Sequence, residues 1–206
     1  MRLPQQNTIL MTGFILIVLP MGVSSGFAGI AHGQTDAGPI DVDVSDLPGE
    51  GTESNPYEIS NVSELQAMED DLDANYSLIN DIDASQTARS DDGHGFDPTG
   101  GDPSNEGTPS PFTGSFDGNS YTITGLTINR PTESEVGLFG RNSGTVTDIT
   151  LTEVTVIGDV FVGGLVGYNN GTIRNTTVSG STDGANLITE LIGQNNGNVM
   201  TARASG

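Results

Sequence analysis

The sequence predicts an all-β fold in which the chain winds into a parallel solenoid of about five coils, with a short capping helix at its N-terminal end. Three observations predict this fold. One motif recurs at spacings of 27 and 26 residues, short alternations of apolar residues follow each copy, and glycine is frequent, with 29 among 206 residues. A fixed period of this size is typical of solenoids, in which each repeat stacks on its neighbours and buries one continuous core.

The composition excludes several functions. The chain has 27 acidic residues against 6 basic ones, all of them Arg, and its formal charge is -21. Such a surface repels phosphate backbones and anionic headgroups, which excludes binding to nucleic acids and to membrane surfaces. An acidic disordered tail has a similar composition, but the absence of Lys favours a folded protein adapted to high salt. The chain also lacks Cys, so neither disulfides nor thiol chemistry contribute.

Residues 1–33 have the organisation of a secretory signal peptide. Arg2 is followed by an apolar run from Phe14 to Leu19 and then by small residues up to Gly33. The run is shorter than the roughly 20 apolar residues of a membrane span, so we expect cleavage and export, with an uncleaved membrane anchor as the alternative. Residues 34–51 mix acids with Gly and Pro, which predicts an acidic flexible linker.

Residues 52–84 are expected to form an N-terminal cap helix and the first coil. The pattern from Ser63 to Asp71 is helical, because Ser63 can cap a helix together with Gln66 three residues later. Apolar residues fall on one stripe of this helix, namely Val62, Leu65, Met68 and Leu72. A helix at this place would cover the end of the solenoid, which otherwise exposes unpaired strand edges.

Residues 85–111 are predicted to be an acidic loop inserted between the first two coils. The loop carries carboxylates whose oxygens are ligands that Ca²⁺ prefers, namely Asp91, Asp92, Asp97, Asp102 and Glu106. Their spacing matches none of the common calcium-binding loops. We therefore favour a solvated loop without metal over a calcium site.

Residues 112–206 contain the repeats. Each copy has an apolar residue that serves as an origin, at Val146, Ile173 and Val199, and apolar or small residues follow three and five positions later. This spacing indicates a corner and then one inward face of a strand. The same template fits upstream around Ile123 and Ile79, which gives the five coils. The chain stops partway through a coil, which predicts a truncated solenoid with further repeats or a partner at this end.

An asparagine lies four residues before each of the five origins, at Asn75, Asn119, Asn142, Asn169 and Asn195. A side-chain amide can donate a hydrogen bond to the coil on one side and accept one from the coil on the other. We therefore predict a structural asparagine ladder that holds a tight inward turn. The alternative is that these residues only mark turns at the surface.

The start of each repeat resembles the GLUG motif, a repeat of secreted surface proteins that include haloarchaeal ones. The motif also occurs in non-catalytic regions of some bacterial immunoglobulin A-cleaving metallopeptidases. The residues that carry the resemblance are Gly137, Leu138, Phe139 and Gly140, and then Gly164, Leu165, Val166 and Gly167. The third copy departs from the motif, because Glu190 replaces its first Gly. The resemblance implies a right-handed parallel β-helix with a surface-exposed, often adhesive role, and it implies no catalytic residues.

Catalytic patterns are weak in this chain. No His-Glu-x-x-His zinc motif occurs, and His94 is the one His that remains once a signal peptide is removed. Acids on β-helices can support polysaccharide cleavage, but Asp148, Asp159 and Asp183 have no basic residue in register with them. We expect no catalytic activity, no cofactor and no metal. The alternative is a non-catalytic or partial scaffold of a β-helix polysaccharide-processing enzyme.

Sequons for N-glycosylation occur at Asn61, Asn170 and Asn175. A further sequon at Asn75 is expected to remain unmodified, because the ladder points this residue inward. Taken together, these features predict a secreted, salt-adapted structural or adhesive module, located extracellularly or at the cell surface. We expect partners among cell-surface proteins and glycans, no nucleic acid, and a membrane contact only through an uncleaved signal or a separate anchor.

Overall fold

The computed structural model describes residues 42–101 and 110–205. The predicted signal peptide, the first part of the predicted linker, Asp102 and Glu106 lie outside the described residues. The predicted class is confirmed, since the described part is a β-solenoid with one short α-helix. The solenoid makes about three turns, however, and not five.

The chain forms fifteen short strands in the part that the structure describes. The first six precede the recurring motif, and they are β1 (Tyr57–Ile59), β2 (Asn75–Leu78), β3 (Ile82–Asp83), β4 (Ser115–Asp117), β5 (Thr122–Thr124) and β6 (Thr127–Asn129). The others form the repeats, and they are β7 (Phe139–Asn142), β8 (Thr145–Thr147), β9 (Thr150–Ile157), β10 (Val160–Gly163), β11 (Val166–Asn169), β12 (Thr172–Asp183), β13 (Asn186–Thr189), β14 (Ile192–Asn195) and β15 (Asn198–Ala204).

The strands stack in parallel columns, one column for each side of the coil. The longest column runs β1-β2-β4-β8-β12-β15, and a second side runs β3-β5-β9-β12. The other sides stack β7-β11-β14 and β10-β13. Equivalent residues of successive repeats face each other, as Phe139, Val166 and Ile192 do. The turn count is lower than predicted because only the segment from β7 onward supplies every side of a coil.

Apolar side chains fill the interior in vertical columns. Phe116, Val146 and Ile173 occupy successive levels of one column, and each is at most 1% exposed. Completely burying a side chain of this kind contributes about 1.5–3 kcal/mol each. The N-terminal half of the core is aromatic, since the rings of Phe112 and Phe139 lie 5.0 Å apart and those of Phe116 and Phe139 lie 5.6 Å apart.

The predicted corner after each origin is a residue in the left-handed region. Asp148, Asn175 and Thr201 have φ values of 55°, 48° and 55°. Asp and Asn tolerate this conformation better than other residues with a side chain, because their short polar groups bond locally. The corner turns the chain between two sides of the coil, which lets the apolar residues before and after it both point inward.

The predicted helix exists but begins earlier than expected. Helix α1 spans Val62–Gln66 and continues as a 3-10 turn over Ala67–Asp70. The prediction that Ser63 caps it is wrong: the Oδ1 of Asn61 accepts hydrogen bonds from the backbone N–H groups of Ser63 and Glu64, at 3.0 and 3.1 Å. Asn61 is the cap because the helix begins at Val62, which places Ser63 inside the first turn and leaves Asn61 in the extended conformation of an N-cap. Leu65 and Met68 are completely buried in the core, as the apolar stripe predicts.

Part of the predicted flexible linker is folded. Residues 44–46 form a 3-10 turn and Leu47 is buried in the core. The carbonyl oxygen of Pro48 accepts a hydrogen bond of 2.8 Å from the N–H of Glu58 in β1, and that of Gly51 accepts one of 2.8 Å from Asn75 in β2. The linker prediction therefore fails for residues 42–51, because Val42, Val44 and Leu47 pack against the core and backbone hydrogen bonds join the segment to the first strands.

The predicted acidic loop is also largely folded where it is described. Residues 85–89 and 91–93 form 3-10 turns, and Phe96 and Thr99 are buried. The segment adds a partial level on the N-terminal side of β7, since Thr99 pairs in parallel with Phe139 and Phe112 pairs with Asn142. The prediction of a solvated loop thus fails for residues 85–101, because Phe96 among the acids packs into the core and Thr99 is buried beside β7.

The register predicted for the upstream coils is wrong. Phe116, and not Ile123, aligns with Val146, while Ile123 aligns with Leu151. Ile79, predicted to be an inward origin, is 43% exposed. The pattern used for the alignment is an apolar residue followed by apolar residues three and five positions later. It occurs twice within one coil, starting at Val146 and again at Leu151. Spacing alone therefore fits two registers.

Candidate functional site

Three of the five predicted asparagines form a stack through successive coils. The Nδ2 of Asn142 donates to the Oδ1 of Asn169 at 2.8 Å, and the Nδ2 of Asn169 donates to the Oδ1 of Asn195 at 2.7 Å. Asn142 and Asn169 are completely buried, whereas Asn195 is exposed. All three lie at the end of equivalent strands, β7, β11 and β14. We name these three residues the asparagine stack.

Each amide of the asparagine stack also closes its own turn. The Oδ1 of Asn169 accepts a hydrogen bond of 3.2 Å from the N–H of Gly171, and Asn142 holds the N–H of Gly144 in the same way at 3.0 Å. The glycine is required there, because a Cβ on Gly171 would lie 2.2 Å from the carbonyl oxygen of Gly144 in the coil below. One side chain thus fixes the turn and bonds two coils, which satisfies polar groups that burial would otherwise penalise.

Asn75 and Asn119 lie outside the asparagine stack. Asn75 aligns with Ser115, and its Oδ1 accepts from the hydroxyl of Ser115 at 2.5 Å. Asn119 has a φ of 48° and donates to the hydroxyl of Ser77 at 2.7 Å. Both residues bond neighbouring levels, but the predicted five-membered ladder is wrong for these two because of the register error described above.

The residues of the recurring motif line the core and supply no reactive group. Leu138, Phe139, Leu165 and Val166 are completely buried. The four glycines of the motif are buried as well, namely Gly137, Gly140, Gly164 and Gly167. A Cβ on Gly167 would lie 2.3 Å from the backbone carbon of Glu135, so the coils can stack only where this position has no side chain. The motif is therefore a packing element.

The three predicted glycosylation sites lie at the surface. Asn170 and Asn175 are exposed turn or corner residues of the repeats. Asn61 is exposed too, but its side chain caps α1, so that a glycan there would compete with the cap. Asn175 donates to the carboxylate of Asp148 at 3.1 Å. Of the three, Asn170 is the one for which the structure shows no side-chain hydrogen bond within the described residues.

A cluster of acids surrounds the buried side chain of Arg130. The guanidinium, 8% exposed, lies 3.0 Å from Asp91, 3.4 Å from Asp97 and 3.4 Å from Glu133. Burial raises the pKa of Asp97, Arg130 lowers it and Asp91 raises it again. Burial, followed by the charges of Asp97 and Asp70, raises the pKa of Glu69 to about 7. Asp91 and Asp97, two of the acids that the calcium alternative would have used, thus anchor the inserted segment to the solenoid.

Other candidates for chemistry are dispersed. His94 is exposed, and its Nδ1 lies 2.8 Å from the carbonyl oxygen of Asp91. Asp148 and Asp183 lie on different sides of the coils, at the corner after β8 and at the end of β12. Within residues 42–101 and 110–205, no group of three or more metal-ligating side chains could hold an ion. In the same residues, no helix is both long and apolar enough to cross a bilayer.

An ordered cluster on the outer side of β7, β11 and β14 was not found from the sequence. The guanidinium of Arg141 forms two hydrogen bonds with Glu135, which raise its pKa, and lies 4.7 Å above the ring of Tyr168. Phe161 meets the same ring edge-on at 5.8 Å, and Asn196 donates to the hydroxyl of Tyr168 at 2.6 Å. We name these five residues the outer aromatic cluster. The sequence did contain a hint, since Arg is rare in this chain and Tyr168 lies two residues after the buried Val166.

The fold and the asparagine stack define the chain as a parallel β-solenoid repeat protein. It is 41% identical over 163 residues to a protein named Halomucin from Haloquadratum walsbyi, which covers 76% of this chain and 2% of Halomucin. It is 40% identical over 138 residues to a putative Gly-rich membrane protein from Evansella cellulosilytica, which covers 63% of this chain and 15% of that protein. The chain therefore spans a small part of the length of either relative. No family model and no solved structure matches it.

Proposed function

We propose that this chain is a secreted, salt-adapted module of the cell surface that acts as a structural and adhesive β-solenoid without catalysis of its own. We also infer that its repeats are of the GLUG type. The observation that carries the proposal is the similarity to short parts of two far longer proteins, one named Halomucin and one named as a membrane protein. A stackable unit that is similar to short parts of larger chains suits a spacer better than a unique catalytic centre.

The chemistry of the exterior supports this role. The outward residues of the stacked strands form columns of hydroxyl groups, in which Thr122, Thr150 and Thr177 face one another. The chain carries a formal charge of -21. Hydroxyls and carboxylates keep a surface hydrated, while the mutual repulsion of the carboxylates requires screening by salt. These properties fit a protein that works in a concentrated salt solution outside the cell.

Circular dichroism at low and at molar salt tests the salt adaptation. The strand signal should increase as salt is added, because screening removes repulsion among the acids. Equal strand signals at both salt concentrations would contradict this part of the proposal. Antibody labelling of intact producing cells tests the location, and labelling that requires permeabilised cells would contradict a place at the surface.

The outer aromatic cluster supports the adhesive part. Aromatic rings at a surface pack against sugar rings or apolar side chains, and Arg141 and Asn196 present polar groups beside them. We expect the partners to be cell-surface glycans or proteins. Tyr168→Ala should weaken adhesion to the producing cells in a binding assay at molar salt, whereas Tyr121→Ala, on another side of the coil, should leave adhesion unchanged. Equal adhesion by Tyr168→Ala and the unmodified chain would contradict this assignment.

A further inference from the structure

The turn that follows β11 presents one side chain to solvent beside the asparagine stack. The Oδ1 of the buried Asn169 accepts a hydrogen bond of 3.2 Å from the N–H of Gly171. The N–H groups of Asn170 and Gly171 both donate to the carbonyl oxygen of Asn142 in the coil below, at 2.8 and 3.1 Å. These bonds fix the backbone of the turn, so that Asn170 is exposed although both of its neighbours in the chain are buried.

Asn170 begins the sequence Asn170-Gly171-Thr172, which has the form of an acceptor site for N-linked glycans. The side-chain nitrogen Nδ2 is the atom that receives the sugar, so the contacts of this atom decide how well the folded chain can accept one. Among the described residues, the side chain of Asn170 has no hydrogen-bond partner. Its Nδ2 therefore meets water and can meet a transferase.

The other three sequons begin with asparagines whose side chains belong to the fold. The Nδ2 of Asn75 donates to the carbonyl oxygen of Gly51 at 2.9 Å, and that of Asn175 donates to the carboxylate of Asp148 at 3.1 Å. The side chain of Asn61 caps α1. A glycan on any of these three residues would displace or crowd a contact that holds the structure, whereas a glycan on Asn170 would not.

The equivalent positions of the neighbouring coils cannot accept a glycan. The residues that align with Asn170 are Ser143 in the coil below and Asn196 in the coil above. Ser143 has no amide, and Asn196 is followed two residues later by Asn198, where a sequon requires Ser or Thr. Coils stack about 4.8 Å apart, and a sugar ring with its substituents is wider than this spacing. A single acceptor among three successive coils therefore leaves the glycan room.

The charge of the surrounding sequence favours the same residue. Residues 160–182 contain no Asp or Glu and one base, Arg174, although the whole chain carries -21. The donor of an N-linked glycan is attached to a lipid through phosphate and is therefore anionic, so a segment without acids repels it least. Asn175 lies in the same segment, but its amide is bonded to the carboxylate of Asp148.

We propose that Asn170 carries an N-linked oligosaccharide and that the other three sequons stay unmodified; this rests on the proposed secretion, because such sites are modified in secreted chains. In the transfer, the Nδ2 of Asn170 forms a bond to C1 of the first sugar, and the bond between C1 and the phosphate oxygen of the lipid-linked donor breaks. The lipid phosphate leaves with the bonding electrons, and one proton of Nδ2 passes to water. The amide stays neutral, so the glycan adds a hydrated group to the side of the solenoid without changing the charge of the chain.

Peptide mapping by mass spectrometry tests the proposal on the full chain isolated from the surface and the medium of the cells that produce it. Trypsin cleaves after Arg141 and Arg174, so it separates Asn170 from Asn175. We expect the peptide of residues 142–174 to carry the added mass of a glycan. The peptide that ends at Arg89, which holds the two upstream sequons, and the peptide of residues 175–203 should have their unmodified masses.

Two pairs of variants assign the glycan to this sequon. Asn170→Gln should remove the added mass completely, whereas Asn175→Gln, the matched control in the next sequon, should keep it. Thr172→Val removes the hydroxyl of the sequon while Asn170 remains, and it should also abolish the modification. Thr172→Ser retains a hydroxyl and should keep the glycan. Circular dichroism at molar salt checks that each variant still has the strand signal of the unmodified chain.

The outcomes separate this proposal from the proposed secretion, because antibody labelling of the same intact cells reports export independently. An exported chain whose peptide of residues 142–174 has its unmodified mass would overturn the proposal and leave secretion standing. A glycan on Asn61, Asn75 or Asn175 at equal or higher occupancy would overturn it too, since the contacts of Nδ2 would then not select the site. A chain found only inside the cells would contradict both.

Discussion

The two ends of the solenoid carry similar sequence patterns but have different environments. Ile173 and Val199 occupy the same column one coil apart, yet the first is completely buried and the second is 38% exposed. Asn169 and Asn195 differ in the same way. Burial in a solenoid comes from the levels above and below a residue, so the same repeat contributes less stability at an end than in the middle.

The N-terminal end is also built from larger side chains. A series of aromatic rings runs through it, with Tyr76 and Phe112 6.2 Å apart and Phe112 and Phe139 5.0 Å apart. The last coil has Ile192 at the level equivalent to Phe139, and this residue is only partly buried. We therefore expect the free energy of unfolding to depend on the N-terminal half more strongly than on the last coil.

Substituting Phe139 should give the largest change in the free energy of unfolding, and it tests the difference between the N-terminal half and the last coil. Phe139→Ala should lower the free energy of unfolding by about 3–5 kcal/mol, because it leaves a cavity between two other rings. Ile192→Ala, at the equivalent position of the last coil, should cost less, about 1–2 kcal/mol, since this side chain is smaller and only partly buried. Denaturant unfolding at molar salt measures both, and equal losses would contradict the difference between the ends.

The asparagine stack gives the second largest contrast. Asn169→Ala should cost about 1–3 kcal/mol, because it leaves the buried amide of Asn142 and the N–H of Gly171 without their partner. Asn195→Ala should cost less, about 1 kcal/mol, since it removes one acceptor of the Asn169 amide but does so at an exposed position that water can reach. The exposed neighbour Asn170 is the control, and Asn170→Ala should change stability by less than about 0.5 kcal/mol. A loss below about 0.5 kcal/mol for Asn169→Ala would favour the view that these asparagines only mark turns.

A smaller effect concerns pH and the acids near the N-terminal end. The pKa of Glu69 is raised to about 7 in the folded state from an ordinary value of 4.5. The folded chain then binds more protons than the unfolded chain between these values, so stability falls as pH rises from 4.5 to 7 and changes no further above it. Since Glu69 is an exposed residue, solvent screening limits the loss to less than about 1 kcal/mol.

Glu69→Gln should flatten this pH dependence between pH 5 and pH 8, as measured by thermal unfolding at constant salt. Asp46→Asn, in the same N-terminal region, serves as the control and should keep the dependence. An unchanged slope in Glu69→Gln would show that this carboxyl does not cause it.

The smallest expected effect on stability concerns the corner residues Asn175 and Thr201. Thr201 and Asn175 occupy equivalent corners with φ values of 55° and 48°, but Thr is β-branched and disfavours this conformation. Thr201→Asn should therefore stabilise the last coil by about 0.5 kcal/mol. Slower amide exchange in β15 would report the gain, and unchanged or faster exchange would show that the Thr side chain is not strained there.

The repeats were predictable from the sequence, whereas the upstream levels were not. The period, the inward residues and the corner at Asn175 follow from apolar spacing and from one extra residue between two strands. The upstream register was missed because the loop between Phe116 and Ile123 is longer than the corner between Val146 and Leu151. The apolar spacing fits the upstream residues in two registers, so it cannot show that this loop is longer than the corner in the repeats.

Among the candidate sites, the one inside the repeats was predictable from the sequence and the two outside the repeat pattern were not. The stack of Asn142, Asn169 and Asn195 lies in the regular repeats, and the predicted register brings them together. The cluster around Arg130 and the outer aromatic cluster join residues from separate levels, such as Asp91 with Arg130. Neither has a period, so no repeat analysis could find it.

For the repeats from Phe139 onward, the sequence by itself determined that the chain winds, how long each coil is and which side chains face inward, because these properties depend on spacing along the backbone. The tertiary structure alone decided which levels align and how the acidic segment docks through Phe96. These outcomes depend on shape and charge complementarity between segments that are far apart in the sequence. Such segments come together only when the chain folds.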